Sequence, residues 1–306
     1  MPPQKRNPPG GLQPRGLRPY RGIRYGVTML KRVAKSSILR GLARKLGSAL
    51  SAPREFGDAK AIEMIADAVL RLSTERNFSD AQRYELFYSI GRKLQPDFPI
   101  NDRGRYLLAD RKFRENFERF LGSGSWKNFE RRWNLGQVLR LLSPVPGDLA
   151  ECGVFEGASA RQLCEFASEH GRRVHLFDSF QGLSAPAGND GKYWTEGGLS
   201  ASEEKVRANL KEFDCFDTFP GWIPEAFGKV ADQKYAFVHI DVDLEQPTFD
   251  SIAFFYPRLS AGGVILLDDH GYDTCPGARK AALDFMADKP EPVLDLSTGQ
   301  GLIIKT

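Results

Sequence analysis

Four aspartates set the chemistry open to this sequence. Asp241 and Asp243 lie in His239-Ile-Asp-Val-Asp-Leu244, and Asp268 and Asp269 form a pair in Leu267-Asp-Asp-His270. Carboxylates brought together repel one another unless they are protonated, paired or bound to a cation. A hard divalent ion with oxygen ligands answers that need, and Mg²⁺ with several retained waters suits it best. His270, next to the pair, is a second group able to carry a proton. A second set combines glycine with acid: Gly153-Val-Phe-Glu-Gly157, followed further along by Asp178. Glycines let a backbone approach a ligand, and an acid about 20 residues on accepts from ribose hydroxyls. Bulky Phe155 between the glycines departs from a dinucleotide fingerprint, so a nucleoside without phosphates fits the turn better.

These residues need elements to position them. Tyr235 to Ile240 is aromatic and β-branched enough for a buried strand, and Val264 to Leu267 reads as another. Between them Phe249, Ile252, Ala253 and Tyr256 recur at helical spacing, and Gly262-Gly263 is expected to stop that helix. A strand–helix–strand unit of this kind is a right-handed crossover between parallel strands, which puts both pairs of aspartates on one sheet edge. Pro144 to Gly147 punctuates the chain upstream. Asp148 to Cys152 then reads as a strand, Ala158 to His170 as a helix ended by Gly171, and Val174 to Phe177 as a strand with Asp178 at its tip. A glycine-bearing loop from Gln181 to Leu199 lies above the same edge and is long enough to be functional. Ser200 to Glu203 caps a helix running to Phe213, and Thr218 to Trp222 is a short strand and turn. A helix around Ala278 to Met286 precedes strands at Val293 to Leu296 and Leu302 to Lys305, expected as an antiparallel hairpin on one edge. The alternation predicts an α/β fold with a mostly parallel sheet.

Upstream of residue 144 the pattern is helical. Ile62, Ile65, Ala66, Val69 and Leu70 share one face. Ser79 to Gln82 is a capping box opening a helix expected to bury Tyr84, Phe87, Ile90 and Leu94. Phe113, Phe117 and Phe120, then Trp126, Phe129 and Trp133, form aromatic stripes that read as core, with a lid over the site as the other reading. Residues 1–50 hold twelve Lys or Arg and no acid, so the remainder carries 31 basic against 39 acidic residues. Their Pro, Gly and Arg content predicts disorder over the first 24 or so. The fourfold spacing of Leu30, Ala34, Ile38, Leu42 and Leu46 among basic residues leaves several readings open. They are a solvated tail or a start codon placed too early, an interfacial helix drawn weakly to an anionic membrane or a nucleic-acid patch, and an organellar presequence. No nucleic acid is expected as a partner. At 306 residues with 41% hydrophobic content the chain can bury a substantial core. It shows no 18-residue apolar run and no apolar stretch near its start resembling a secretory signal. Four cysteines without a CxxC suggest free thiols in a reducing compartment, hence a cytoplasmic protein at most peripheral to a membrane.

Taken together, Ala150 to Ser159, Phe177-Asp-Ser-Phe-Gln-Gly-Leu183, Pro220-Gly-Trp222, His239 to Leu244 and Leu267-Asp-Asp269 resemble the macrocin O-methyltransferase family. The resemblance covers roughly residues 145–306 and the helices before them more loosely. It implies a Rossmann-like class I methyltransferase fold with a seven-stranded sheet and helices on both faces. The expected organisation is a basic extension over 1–50, a helical region over 51–143 and a catalytic domain over 144–306. The implied activity is S-adenosylmethionine-dependent, divalent-metal-assisted methylation of a hydroxyl on a sugar or related natural product. Glu151, Gly153 and Gly157 would cradle the amino acid part of the cofactor, Asp178 the ribose, with Ser179 near the adenosine and Trp222 near the adenine or domain wall. Asp241, Asp268 and Asp269 would hold the metal ion. Asp241 would also take the hydroxyl proton, Asp243 would support, and His270, where the family commonly has an aromatic residue, reads equally as an alternative base or substrate contact and as a satisfied surface histidine. His239 reads as structural.

Three rival readings remain. One is metal-independent methylation. A second is an NAD-dependent sugar oxidoreductase, disfavoured by the missing fingerprint. The third is a nucleoside-binding, membrane-associated scaffold, which gives the carboxylates no role. Acceptor choice is expected to lie in the 181–199 loop, the preceding helices and, in a homo-oligomer, a partner subunit.

Overall fold

The computed structural model describes residues 58–75, 77–94, 110–120 and 128–306. The basic extension over 1–50 and Trp126 lie outside them. The chain divides into two compact units, 1–102 and 103–306, so the helical region expected over 51–143 is shared between the two.

In the first unit, α1 spans Asp58–Glu75 and α2 spans Asp80–Leu94. The capping box is present: Gln82 N donates to Ser79 Oγ, and Ser79 N to Gln82 Oε1. The burial expected of these helices is not found at three positions, since Leu70 is 62% exposed, Phe87 63% and Ile90 36%. Helical periodicity shows that a face is apolar and does not say what covers it.

The second unit contains α3 (Arg111–Glu118), α4 (Phe129–Leu141), β1 (Asp148–Cys152), α5 (Ala158–His170) and β2 (Val174–Asp178). There follow α6 (Glu203–Asn209), β3 (Phe216–Pro220), β4 (Tyr235–Ile240), α7 (Glu245–Phe255) and β5 (Leu259–Leu267), then α8 (Pro276–Met286), β6 (Leu294–Asp295) and β7 (Gly301–Ile304). The seven strands are ordered β3-β2-β1-β4-β5-β7-β6. β1 to β5 pair in parallel, while β7 runs antiparallel to both β5 and β6. The expected closing hairpin is therefore inserted as β7 against β5, leaving β6 on the edge.

Strand alternation builds two cores. Leu149, Leu176, Phe237 and Leu266 face one way and pack with Leu135 and Leu139 of α4 and Leu163 of α5. Ala150, Phe177, Val238 and Ile265 face the other way and pack with Ile252 and Phe255 of α7 and Met286 of α8. Parallel strands buried on both faces read as continuous apolar runs, as β4 and β5 do. The helix in the central crossover ends sooner than expected, at Phe255, with a 3-10 turn over Tyr256–Arg258 containing Pro257. Gly262 and Gly263 instead lie inside β5, where the register with β4 shifts and Gly262 adopts φ +80°. They form a bulge and not a helix stop. Among the described residues no helix is long and apolar enough to cross a membrane.

Candidate active site

Strand order reverses between β1 and β4, and open α/β sheets bind ligands outside the strand ends at such a point. A cavity of about 1080 Å³ opens there. That is at the upper end of the range for a single small-molecule site, and suits two ligands side by side. Gly153, Asp178, Ser179, Trp222, Asp241 and Asp269 line it, together with Asp243. Helix α3 contributes Phe113 and Phe117, the turn after it Phe120, and the loop after β2 contributes Tyr193, Trp194 and Leu199.

The floor is set by main chain. Gly153 ends β1 at φ +81°, and a Cβ there would sit 1.9 Å from the Asp241 carbonyl oxygen. Only glycine permits that approach. Asp178, at the tip of β2, organises the turn: Oδ2 accepts from Val154 N at 2.7 Å and Phe155 N at 3.1 Å, and Oδ1 accepts from Phe180 N at 2.7 Å. Phe155 and Phe180 both take left-handed backbone, φ 49° and 54°. Such strain in bulky residues persists only where surrounding bonds over-determine it, typically at functional sites. A lone pair remains on Asp178 Oδ1, which accepts one bond where Oδ2 accepts two, and is free for a ribose hydroxyl. Ser179 Oγ donates to Gly182 O, and Trp222 stands on the rim, 42% exposed. Gly157 caps α5 at φ +86° and is set back from the cavity surface.

The carboxylates occupy the other half. Burial, then neighbouring Asp268, raises the Asp241 carboxyl to about 6. Burial and Asp241 raise Asp243 to about 7, and burial with Asp243, Asp241 and Asp268 puts Asp269 well above its ordinary value. Burial pushes Asp268 up too, but the Arg131 guanidinium and His239 outweigh it and hold that carboxyl far below the usual range. The side-chain positions explain this. Glu151, His239 and Asp268 share the sheet face that α4 covers. Arg131 of α4 donates to Asp268 Oδ2, lies 3.9 Å from Asp269 Oδ1, donates to Asn128 Oδ1 at 2.5 Å and stacks 4.8 Å from the Tyr272 ring centroid. Gln300 Nε2 donates to Asp268 Oδ1 at 2.9 Å, and His239 Nε2 lies 3.4 Å from the same oxygen. His239 Nδ1 meets Glu151 Oε1 at 2.9 Å. Burial opposes protonation of this imidazole, yet the two carboxylates raise it to about 9, so it is cationic at neutral pH.

Three expected roles are redrawn by this geometry. Glu151 is fully buried in the sheet against His239 and does not reach the cavity. Its register partner across the β1–β4 ladder is His239, which explains the pairing. His270 is buried away from the cavity, 3.2 Å from Asp295, its ring packed over Gly301, where a Cβ would lie 2.7 Å from His270 Cγ. It is therefore neither base nor substrate contact here. The expected metal trio is divided: ligand atoms within 4.8 Å of one another form the groups His239–Asp241–Asp268 and Asp243–Asp269–Cys275. Asp241, Asp243 and Asp269 all line the cavity and offer the oxygen donors a hard divalent cation takes, with Asp241 outside the group that Asp243 and Asp269 form. Arg131 and Arg132 were missed. Both lie in a short run of charge at the start of α4, between the aromatic residues Phe129 and Trp133.

The comparisons with known proteins agree with this architecture. The macrocin-O-methyltransferase (TylF) family model matches residues 131–294. A tetracenomycin-C derivative 4'-O-methyltransferase of Streptomyces olivaceus is 32% identical over 152 residues, covering 45% of this chain and 58% of that protein. Demethyldecarbamoylnovobiocin O-methyltransferase of Streptomyces niveus is 32% identical over 158 residues, covering 47% and 59%. The chain thus matches somewhat over half the length of these relatives. Among solved structures the calicheamicin methyltransferase CalS11 aligns with TM-score 0.50 and 17% identity, covering 67% of this chain and 99% of that one, which shows a shared fold. Because the family model covers more than half of the sequence, the chain belongs to the macrocin O-methyltransferase family.

Proposed function

We propose that this protein transfers a methyl group from S-adenosylmethionine to a hydroxyl of a sugar-bearing natural product, assisted by a divalent cation. One observation carries the reading: a single cavity joins a nucleoside cradle at β1 and β2 to a carboxylate cluster at β4 and β5. The cofactor, when bound, supplies an electrophilic methyl on a sulfonium. Gly153 and the Asp178-anchored turn would hold its adenosyl part, with Ser179 and Trp222 alongside. A cation held by Asp241 and Asp269, with Asp243 in support, would lower the pKa of an acceptor hydroxyl. Asp241, poised near 6 and open to the cavity, takes the hydroxyl proton. The aromatic wall of α3 and the Tyr193–Trp194 pair exclude water and fix the acceptor, and alignment of that kind is worth several orders of magnitude in rate.

Calorimetric titration with S-adenosylmethionine, with Mg²⁺ and with EDTA, beside Asp178→Ala, tests the reading. Micromolar binding lost in the variant supports it, and no binding under any condition overturns it. A second reading has its own observation. Arg131 already places a positive charge on the Asp268–Asp269 pair, as a metal-independent enzyme would require. Methyl transfer surviving exhaustive chelation would select that version.

A further inference from the structure

Asp190 is 2% exposed although it sits in the 181–199 segment, in a short 3-10 turn over Gly188–Asp190. Its carboxylate joins three elements. Oδ2 accepts from Ala187 N at 2.7 Å, inside the segment itself. Oδ1 accepts from Glu245 N, the first residue of α7, at 2.6 Å. The third element is α8, which is notched for it: a Cβ on Gly277 would lie 2.3 Å from Asp190 Oδ1 and 2.8 Å from Glu245 Cβ. The first turn of a helix has main-chain N–H groups with no partner in the helix, and a carboxylate there is favoured by charge as well. The N-cap position of α7 is Leu244, whose side chain can accept nothing, so Asp190 supplies the cap from 55 residues away.

The segment that carries this carboxylate is closed on itself. Leu183 N donates to Gly198 O at 2.8 Å and Gly197 N to Leu183 O at 2.9 Å, and a Cβ on Gly182 would meet Gly197 O at 2.5 Å. Tyr193 and Trp194, which line the cavity, lie between the latch and that closure. On the other side of the latch the chain runs back from Glu245 through Leu244 to Asp243, which takes left-handed backbone, φ 59°, and whose N–H donates to Asp269 Oδ2 at 3.0 Å. Asp241 N donates to Cys152 O at 2.9 Å, so the β1–β4 ladder places Asp241, but Asp243 lies beyond that ladder. We propose that Asp190 is a positioning residue that couples the Tyr193–Trp194 wall of the cavity to the Asp243–Asp269 pair, so that the two open and close as one unit. The part Asp243 plays in the reaction rests on the methyl-donor reading above. The coupling does not, and it is measured without any ligand, so the two can fail separately.

Native-state amide hydrogen exchange of the full chain, resolved by residue across low urea concentrations, tests this. The reporters are amides that do not bond Asp190: Asp243 on one side, Leu183 and Gly197 on the other. Gly153 N, bonded to Phe177 O between β1 and β2, reports global unfolding. In the native chain the three reporters should share one opening free energy and one urea slope, both below those of Gly153. Asp190→Ala should speed all three about 10-fold, the worth of a lost helix cap, and Asp190→Asn, which keeps an acceptor for Glu245 N, should recover part of the effect. Gly277→Ala crowds the latch from α8, in a helix where alanine is otherwise favoured, and should act like Asp190→Ala. An Asp243 amide that opens separately from Leu183 and Gly197, or only with Gly153, would overturn the coupling. So would a variant that speeds Leu183 and Gly197 and leaves Asp243 unchanged. The native chain and Gly277→Ala decide the matter even if Asp190→Ala does not fold.

Discussion

Replacing Arg131 with methionine should cost far more than an ordinary ion pair. The Arg131 side chain is 15% exposed and that of Asp268 5%, so the pair is essentially interior. Methionine keeps the apolar stem and removes the bonds to Asp268 and Asn128 together with the guanidinium stacked on Tyr272. Asp268 would retain Gln300 Nε2 at 2.9 Å and His239 Nε2 at 3.4 Å, but its nearest full cation would be gone. Breaking a buried pair costs about 3–5 kcal/mol where the charge left behind has no other cation; His239 at 3.4 Å, shared with Glu151, offsets part of that, so the loss should lie toward the lower end. Equilibrium urea unfolding at neutral pH, without divalent cations, reads this directly. The double variant Arg131→Met, Asp268→Asn should recover much of the loss, because the stranded charge goes with its partner, and with Asp268→Asn measured alone the cycle gives the interaction energy. A loss below about 1 kcal/mol in the single variant would put the contact in the class of surface ion pairs and refute the argument.

Asp241→Asn should abolish methyl transfer while leaving S-adenosylmethionine affinity within about threefold, because the change removes the proton acceptor and keeps the shape; retained turnover would take Asp241 out of the mechanism. Gly153→Ala should destabilise the fold by about 3 kcal/mol or more in thermal unfolding, since its Cβ meets the Asp241 carbonyl at 1.9 Å on left-handed backbone. An unchanged Tm would contradict the close approach. Glu291 accepts from Tyr256 Oη at 2.5 Å, Lys305 Nζ at 2.9 Å and Thr306 N at 3.1 Å, and these bonds, the tyrosine first, hold its carboxyl far below the ordinary value. A depressed folded pKa gives stability that is present above the unfolded value of about 4.5 and lost as pH falls below it. Glu291→Gln should therefore lower the urea midpoint at pH 7 and flatten its decline on acidification; an unaltered acid limb would assign that decline to other groups.

Much of this arrangement was legible in the residues, and the failures have physical causes. β4 and its acidic tip stand out because a strand buried on both faces must be largely apolar, and Tyr235 to Ile240 is apolar but for His239. His239 reads correctly as structural for the same reason: it interrupts that run and so must be satisfied within it. Glu151 misleads because one-dimensional spacing puts it beside the glycine turn, while the pleat turns it into the sheet against His239. His270 adjoins the aspartate pair in sequence, yet its ring lies over Gly301 of a strand that is distant in the chain. Arg131 was hidden because its partner lies 137 residues away and nothing local marks it. The Phe113–Phe117–Phe120 stripe shows the limit of periodicity itself. The spacing that predicts core is equally that of a cavity wall, and these rings line the cavity while Phe113 and Phe117 also pack on Phe129.

The contact between Gly153 and the Asp241 carbonyl has one more consequence. The turn that would carry the methyl donor and the strand tip that would receive the proton touch through backbone, with no side chain between them. Their separation is fixed by the β1–β4 ladder and cannot be adjusted by substituting any residue around the pocket. The surfaces that would meet the acceptor are of another kind: α3 and the 181–199 segment line the cavity and contribute no strand to the sheet. Acceptor choice can therefore be re-cut along those two segments while the axis of group transfer stays where the main chain puts it.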